Sequence, residues 1–210
     1  MKRKSFYIGL GLLVLFIIWT VALQFVDVGA IGPQGSSVGF ASLNKIIHNI
    51  TGVHMSLYTI TDWLGLVPIC FIIGFGILGL CEWIKRKNIF KVDRDIIFLG
   101  VFYLAVIAAY LLFEEIPVNY RPTLIDCRLE ISYPSSTTLL VLTVMPTAAM
   151  QFHTRIKTPF LRRCIIASIV LFVLFMVIGR LISGVHWLTD IVGGILLSAG
   201  LVMLYDAIVK

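Results

Sequence analysis

Six apolar stretches dominate this chain and constrain what it can fold into. They run over Phe6–Phe25, Leu57–Trp83, Ile96–Phe113, Thr137–Phe152, Cys164–Ile182 and Trp187–Val209. A hydrocarbon core about 30 Å thick takes roughly 20 helical residues to cross, so each stretch is long enough, or nearly so, to span a membrane as an α-helix. The fourth is short and contains Pro146, which predicts a kinked helix sheltered by its neighbours. Composition agrees: 59% of the 210 residues are apolar, 13% are charged, and the mean hydropathy is +1.00. That is about half the charge a soluble domain carries on its surface. A water-soluble globule, a disordered chain and a disulfide-stapled secreted domain are excluded. The expected fold is all-α: a polytopic membrane protein of six transmembrane helices, one domain over residues 1–210, without internal repeats.

Basic residues set the expected orientation. Lys2, Arg3 and Lys4 precede the first stretch, and Lys85, Arg86, Lys87, Lys91 and Arg94 follow the second. Arg155, Lys157, Arg162 and Arg163 follow the fourth, and Lys210 ends the chain. Thirteen of 17 basic residues therefore fall on one side, leaving Lys45, Arg121, Arg128 and Arg180 on the other. By the positive-inside rule both termini face the cytoplasm. This alternation also explains the net charge of +6 without nucleic acid, which is not expected as a partner. The first stretch is longer than a signal-peptide core, so an uncleaved anchor is expected despite a weak cleavage signal at Val28-Gly29-Ala30. The short inner loops suit a bacterial plasma membrane. Four scattered cysteines, Cys70, Cys81, Cys127 and Cys164, show no metal-ligand spacing, and buried, inert thiols are expected.

The outer segments hold the residues with chemical potential. After the turn Gly32-Pro33-Gln34-Gly35, Leu43, Ile46, Ile47 and Ile50 recur at the spacing of one helical face, with Lys45, His48 and Asn49 on the other. That pattern suits a helix lying in the headgroup layer, and equally one packed over the bundle mouth. Further on, Pro134-Ser135-Ser136-Thr137-Thr138 is a helix-start signal leading into the fourth span. A helix N-terminus offers unpaired N–H groups to an anion, and serine hydroxyls add donors; the same residues also make an ordinary helix cap. Third, Arg180, His186 and Asp190 fall within about ten residues at the edge of the membrane. His186 and Asp190 are four apart and share one face if a helix begins there. A carboxylate on one ring nitrogen fixes the tautomer and frees the other as a base or nucleophile. Ionisable groups at that depth are costly, which favours function over a mere Arg180–Asp190 ion pair.

The order Arg121-Pro122, then Pro134-Ser135, then Arg-x5-His-x3-Asp at Arg180, His186 and Asp190 resembles the three-part signature of the type 2 phosphatidic acid phosphatase (lipid phosphate phosphatase) and vanadium haloperoxidase superfamily. The third motif matches in full, spacing included, and the resemblance runs over the whole chain. It implies phosphoryl transfer through a phosphohistidine, with His186 as nucleophile and Asp190 as its orienting partner. Arg121, Arg180, Ser135 and Ser136, with the N–H groups at the head of the fourth span, would hold the phosphoryl oxygens. No cofactor or metal is implied. Two positions depart from the pattern. Glu114 stands where the first motif begins with lysine, and Thr137 stands where the second ends in the histidine that protonates the leaving oxygen. Among the carboxyls expected outside (Asp62, Glu114, Glu115, Asp126 and Glu130), Glu115 and Glu114 rank first as a substitute general acid, because they end the third span beside the arginine motif.

The expected function is that of a membrane phosphatase-like protein. It would hydrolyse or transfer the phosphate of a lipid phosphate or lipid pyrophosphate at the outer face, with membrane lipids around it. The alternative is a catalytically impaired relative that binds lipid phosphates without cleaving them. A transporter using Asp62, Glu114, Arg180 and Asp190 as a relay is disfavoured, since no paired broken spans appear and the charges gather at one face.

Overall fold

Backbone groups in an apolar run have no water to bond to, so each long run closes its own hydrogen bonds as a helix. The computed structural model describes residues 3–209; Lys2 and Lys210, counted above, lie outside the described residues. It contains α1 (Arg3–Phe25), α2 (Ala41–Thr51), α3 (Met55–Leu64), α4 (Leu66–Arg86), α5 (Arg94–Glu115), α6 (Ser136–Arg155), α7 (Pro159–Ile182) and α8 (Leu188–Val209). Helices α3 and α4 meet at Gly65 and together form one long rod, so the chain is equally described as seven helices. Among the described residues there is no strand, only isolated bridges such as Gly29–Val38 and Tyr120–Ile131.

Among the described residues five helices are long and apolar enough to cross a membrane: α1, the joined α3–α4, α5, α7 and α8. The fourth predicted span, α6, is not among them. The reason is its place in the bundle. It packs on α4, α5, α7 and α8, so protein rather than lipid covers most of it. Polar side chains are then tolerable if each finds a partner. Thr143 and Thr147 bond back to the Leu139 and Thr143 carbonyls, Thr147 also meets the Tyr103 hydroxyl at 3.1 Å, and Gln151 donates to Tyr205 at 3.1 Å. The helix runs on through Pro146.

The most extensive helix pairing is α1 on α8. A Cβ on Gly200 would stand 2.7 Å from Leu13, and one on Gly9 would stand 3.0 Å from the Gly200 carbonyl, so the two glycines let the backbones approach. At one end of the bundle Arg155 joins Asp95 (3.1 Å) and Asp93 (3.5 Å), while Arg86 meets Asp93 and Glu82. These pairs tie α4, α5 and α6 together. The opposite end gathers α2, α3 and the turns where the three motifs lie.

One sequence expectation changes here. The cysteines are exposed, not buried. In a membrane protein an apolar context marks lipid-facing positions as readily as core, and Cys70, Cys81 and Cys164 lie on the outside of α4 and α7. Asn44 of α2 is fully buried and bonds Gly39 and Thr189, so α2 covers the head of α8. Ile46 and Ile50 point away from the protein, 57% and 75% exposed. A soluble protein would place those faces the other way round.

Candidate active site

The site is built where α7 turns into α8. Helix α7 ends as the Ser183 N–H closes on the Gly179 carbonyl, and Gly184 follows with φ +69. A side chain there would collide with the Gly52 carbonyl, so glycine is required on two counts. The next turn presents His186 and Trp187. Trp187 donates through its indole to the Tyr120 carbonyl at 2.8 Å, and its ring lies 5.3 Å from that of His48. Burial against this neighbour lowers the proton affinity of His48.

Asp190 lies in the first turn of α8 and accepts the Trp187 backbone N–H at 3.0 Å, which is the acidic half of a capping box. Its other oxygen accepts from Asn119 at 3.1 Å. Its carboxylate faces His186 Nδ1 at 3.7 Å, and its backbone carbonyl accepts the Ser135 N–H at 3.1 Å. Asp190 is completely buried. It therefore holds together the head of α8, the head of α6 and the segment carrying the first motif.

Both predicted arginines converge on one atom. Arg180 Nη2 lies 3.0 Å and Arg121 Nη1 3.3 Å from His186 Nε2. A guanidinium can only donate, so Nε2 accepts and the ring proton sits on Nδ1, on the Asp190 side. Burial, then the charges of Arg121 and Arg180, hold the imidazole's proton affinity well below the ordinary histidine range, with the Ser132 backbone acting weakly in the opposite direction. His186 is thus neutral, with an unprotonated nitrogen aimed between two cations. The Tyr58 ring lies under both guanidinium groups, 5.1 Å from Arg180 and 5.9 Å from Arg121. Arg121 also pairs with Glu130 at 2.9 Å, and Arg180 with Asp62 at 3.6 Å. Arg180 is 1% exposed, and its Nε and Nη1 make no hydrogen bond, leaving two buried donors without an acceptor in hydrogen-bond range.

A cavity of about 390 Å³ opens onto this group. Arg121, His186, Ser136, Glu114, Glu115 and Glu130 line it. Glu114 accepts the Tyr110 hydroxyl at 2.7 Å. Ser135 takes a different place from Ser136: fully buried, its hydroxyl oxygen accepts from the Thr138 N–H and hydroxyl as the N-cap of α6. Thr137 turns toward the α3–α4 junction, where a Cβ on Gly65 would stand 3.5 Å from its methyl. Among the described residues no group of three or more His, Cys, Asp or Glu side chains is placed to hold a metal ion.

Sequence reasoning did not single out Asn119, Tyr58 or Asn44. Tyr58 and Asp62 are four apart on α3, so their shared face was readable once a helix was assigned there. Asn119 and Asn44 reach across the fold and carry no local signal.

The family model of the PAP2 superfamily matches residues 101–209, more than half of the chain and all three motif regions. No curated protein matches the sequence. Among solved structures, the fold is similar to the crystal structure of a transmembrane PAP2-type phosphatidylglycerolphosphate phosphatase from Bacillus subtilis. The TM-score is 0.67 at 18% identity, covering 95% of this chain and 94% of that one.

Proposed function

The chain belongs to the PAP2 superfamily, and on that premise we propose that it hydrolyses, or transfers, the phosphate of a lipid phosphate or lipid pyrophosphate through a phosphohistidine. The observation that carries this reading is the convergence of Arg121 and Arg180 on Nε2 of a neutral His186. A phosphoryl group drawn between two guanidinium forks lies beside an unprotonated nitrogen whose opposite side is backed by Asp190. Nε2 attacks phosphorus, the arginines and Ser136 take the charge growing on the equatorial oxygens, and Asp190 stabilises the ring as it becomes cationic. Ser135 acts by holding the head of α6 in place. Glu115 and Glu114, which the sequence ranks first as a substitute acid, lie on the cavity wall. Water, or another alcohol, then takes the phosphoryl group from His186.

In the membrane, α6 serves as a sixth crossing, shielded by its neighbours. Both termini lie in the cytoplasm and the cavity opens at the outer face of a bacterial plasma membrane. There a lipid headgroup enters while its tails stay in the bilayer, and membrane lipids surround the bundle. Neither nucleic acid nor a cofactor takes part. A second reading, a binder of lipid phosphates without turnover, is favoured by Thr137 and Glu114 at positions where the family carries a proton donor and a cation.

Phosphate release by purified protein from a panel of lipid phosphates and pyrophosphates tests the proposal. Turnover, acid-labile phosphate on the protein and loss of both in His186→Ala are expected. Binding without release from any substrate selects the second reading.

A further inference from the structure

We propose that Asp62, at the end of α3, is the general acid that protonates the leaving oxygen in place of the histidine missing at position 137. The inference rests on the phosphatase reading above and names a residue for it. Arg180 stands between two groups: Nη2 meets His186 Nε2 at 3.0 Å, and Nη1 faces Asp62 Oδ1 at 3.6 Å. A phosphoryl group held by that guanidinium has the nucleophile on one flank and the Asp62 carboxyl on the other. In-line displacement requires the leaving oxygen to depart opposite the nucleophile, so a proton donor belongs on the second flank.

Position 137 points to the same place. The Thr137 methyl packs toward Gly65, whose N–H bonds the Asp62 carbonyl at 3.0 Å. A longer side chain at 137 would extend toward the last turn of α3, which carries Asp62. The other carboxyls at the site are engaged or placed elsewhere. Glu130 is bonded to Arg121, and Glu114 holds the Tyr110 hydroxyl. Glu114 and Glu115 end α5 and share the cavity wall with Arg121, Ser136 and His186, but that wall does not include Thr137, the position of the missing histidine. The Asp62 side chain is 59% exposed and so open to a ligand, although it lies outside the lining of the 390 Å³ cavity.

A phosphate monoanion arriving at the same guanidinium brings a proton with it, and the neighbouring Asp62 carboxyl carries that proton to the leaving oxygen. The step then balances. His186 Nε2 forms the N–P bond, and the P–O bond to the alcohol breaks with its electron pair on oxygen. The Asp62 proton passes to that oxygen, and neutral alcohol leaves. In the second half the Asp62 carboxylate takes a proton from the water that attacks phosphorus. Inorganic phosphate leaves, Nε2 recovers its lone pair, and the acid is restored.

Leaving-group dependence is the test. Turnover of didecanoyl phosphatidic acid, whose alkoxide needs a proton, is compared with that of p-nitrophenyl phosphate, whose phenolate leaves without one. Asp62→Asn is expected to lower phosphatidic acid turnover by about 10²–10⁴ while lowering p-nitrophenyl phosphate turnover only a few-fold. Adding Thr137→His to that variant is expected to restore phosphatidic acid turnover. An equal loss on both substrates would mean that Asp62 merely positions Arg180, and would overturn the assignment. So would a selective loss in Glu114→Gln or Glu115→Gln with Asp62→Asn unaffected. Both of these results leave the phosphatase reading standing. Wild-type protein inert on both substrates and on the lipid panel would overturn the phosphatase reading and the assignment together.

Discussion

Asn119 donates its side-chain amide to Asp190 at 3.1 Å across 71 residues of sequence, and so ties the arginine-bearing segment to the carboxylate behind His186. Both residues are fully, or almost fully, buried. The carboxylate is held by three structural elements at once, which fixes the imidazole it backs.

Asn119→Leu is therefore expected to destabilise the protein by about 1–3 kcal/mol, since a buried charged acceptor loses a donor. Turnover should fall as well, because Asp190 is freed to swing away from Nδ1. Thermal unfolding in detergent and kcat on the best lipid phosphate measure the two effects. Unchanged stability and rate would show that the Asn119–Asp190 bond bears no weight.

The two arginines provide the second prediction. A charge-assisted hydrogen bond is worth about 1.5–3 kcal/mol, so Arg121→Ala or Arg180→Ala should each weaken binding of a phosphate analogue by roughly 10-fold to 150-fold. Arg180→Lys should recover little of this, because a single ammonium cannot face His186 and Asp62 in two directions at once. Calorimetric titration with vanadate or phosphate checks both, and binding unchanged in either alanine variant would mean that the pair does not form one site.

Protonation of His186 should leave a mark on stability. Its folded-state proton affinity is lowered, so below about pH 6.5 the unfolded chain takes up a proton that the folded protein refuses. Folded stability should then decline as pH falls below about 6.5, by up to roughly 1.4 kcal/mol per pH unit from this group. His186→Asn should flatten that slope in melting experiments between pH 7.5 and 5. The activity profile should show no acid limb at the usual histidine value, because the nucleophile is already neutral there.

Orientation can be read with a native probe. Cys127 is exposed in the turn between the first and second motifs, whereas Cys70, Cys81 and Cys164 lie along membrane-spanning helices. A membrane-impermeant maleimide should label Cys127 in intact cells, and a Lys87→Cys substitution should react only after lysis. The reverse pattern would place the cavity in the cytoplasm.

How far the sequence carried these conclusions varies by feature. Long apolar runs give membrane helices because backbone in lipid has no alternative, so α1, α4, α5, α7 and α8 were legible from hydropathy alone. Helix α6 was harder, since its polarity reflects a place inside the bundle. The third motif was legible because Arg180, His186 and Asp190 lie close in sequence, across the turn from α7 into α8. Arg121 joined them only through the resemblance. Asn44 and Asn119 were invisible, because their partners lie 145 and 71 residues away. Ser135 shows the limit of a local pattern: a serine before a helix reads equally as ligand donor or cap, and here its hydroxyl caps α6. The cysteines were misplaced because burial was inferred from apolar neighbours, a rule that holds in water and fails in lipid.

The glycine seam between α1 and α8 also has a consequence for how the molecule is made. Gly9 meets Gly200, and the Trp19 indole donates to the Thr189 carbonyl beside Asp190, so α1 supports a turn translated 170 residues after it. Through most of synthesis α1 waits in the bilayer with its glycine face unmatched. Only the arrival of α8 closes the ring of helices and sets His186 against its two arginines. A nascent chain halted between Arg180 and Asp190 thus carries both cationic forks but lacks the carboxylate that backs His186.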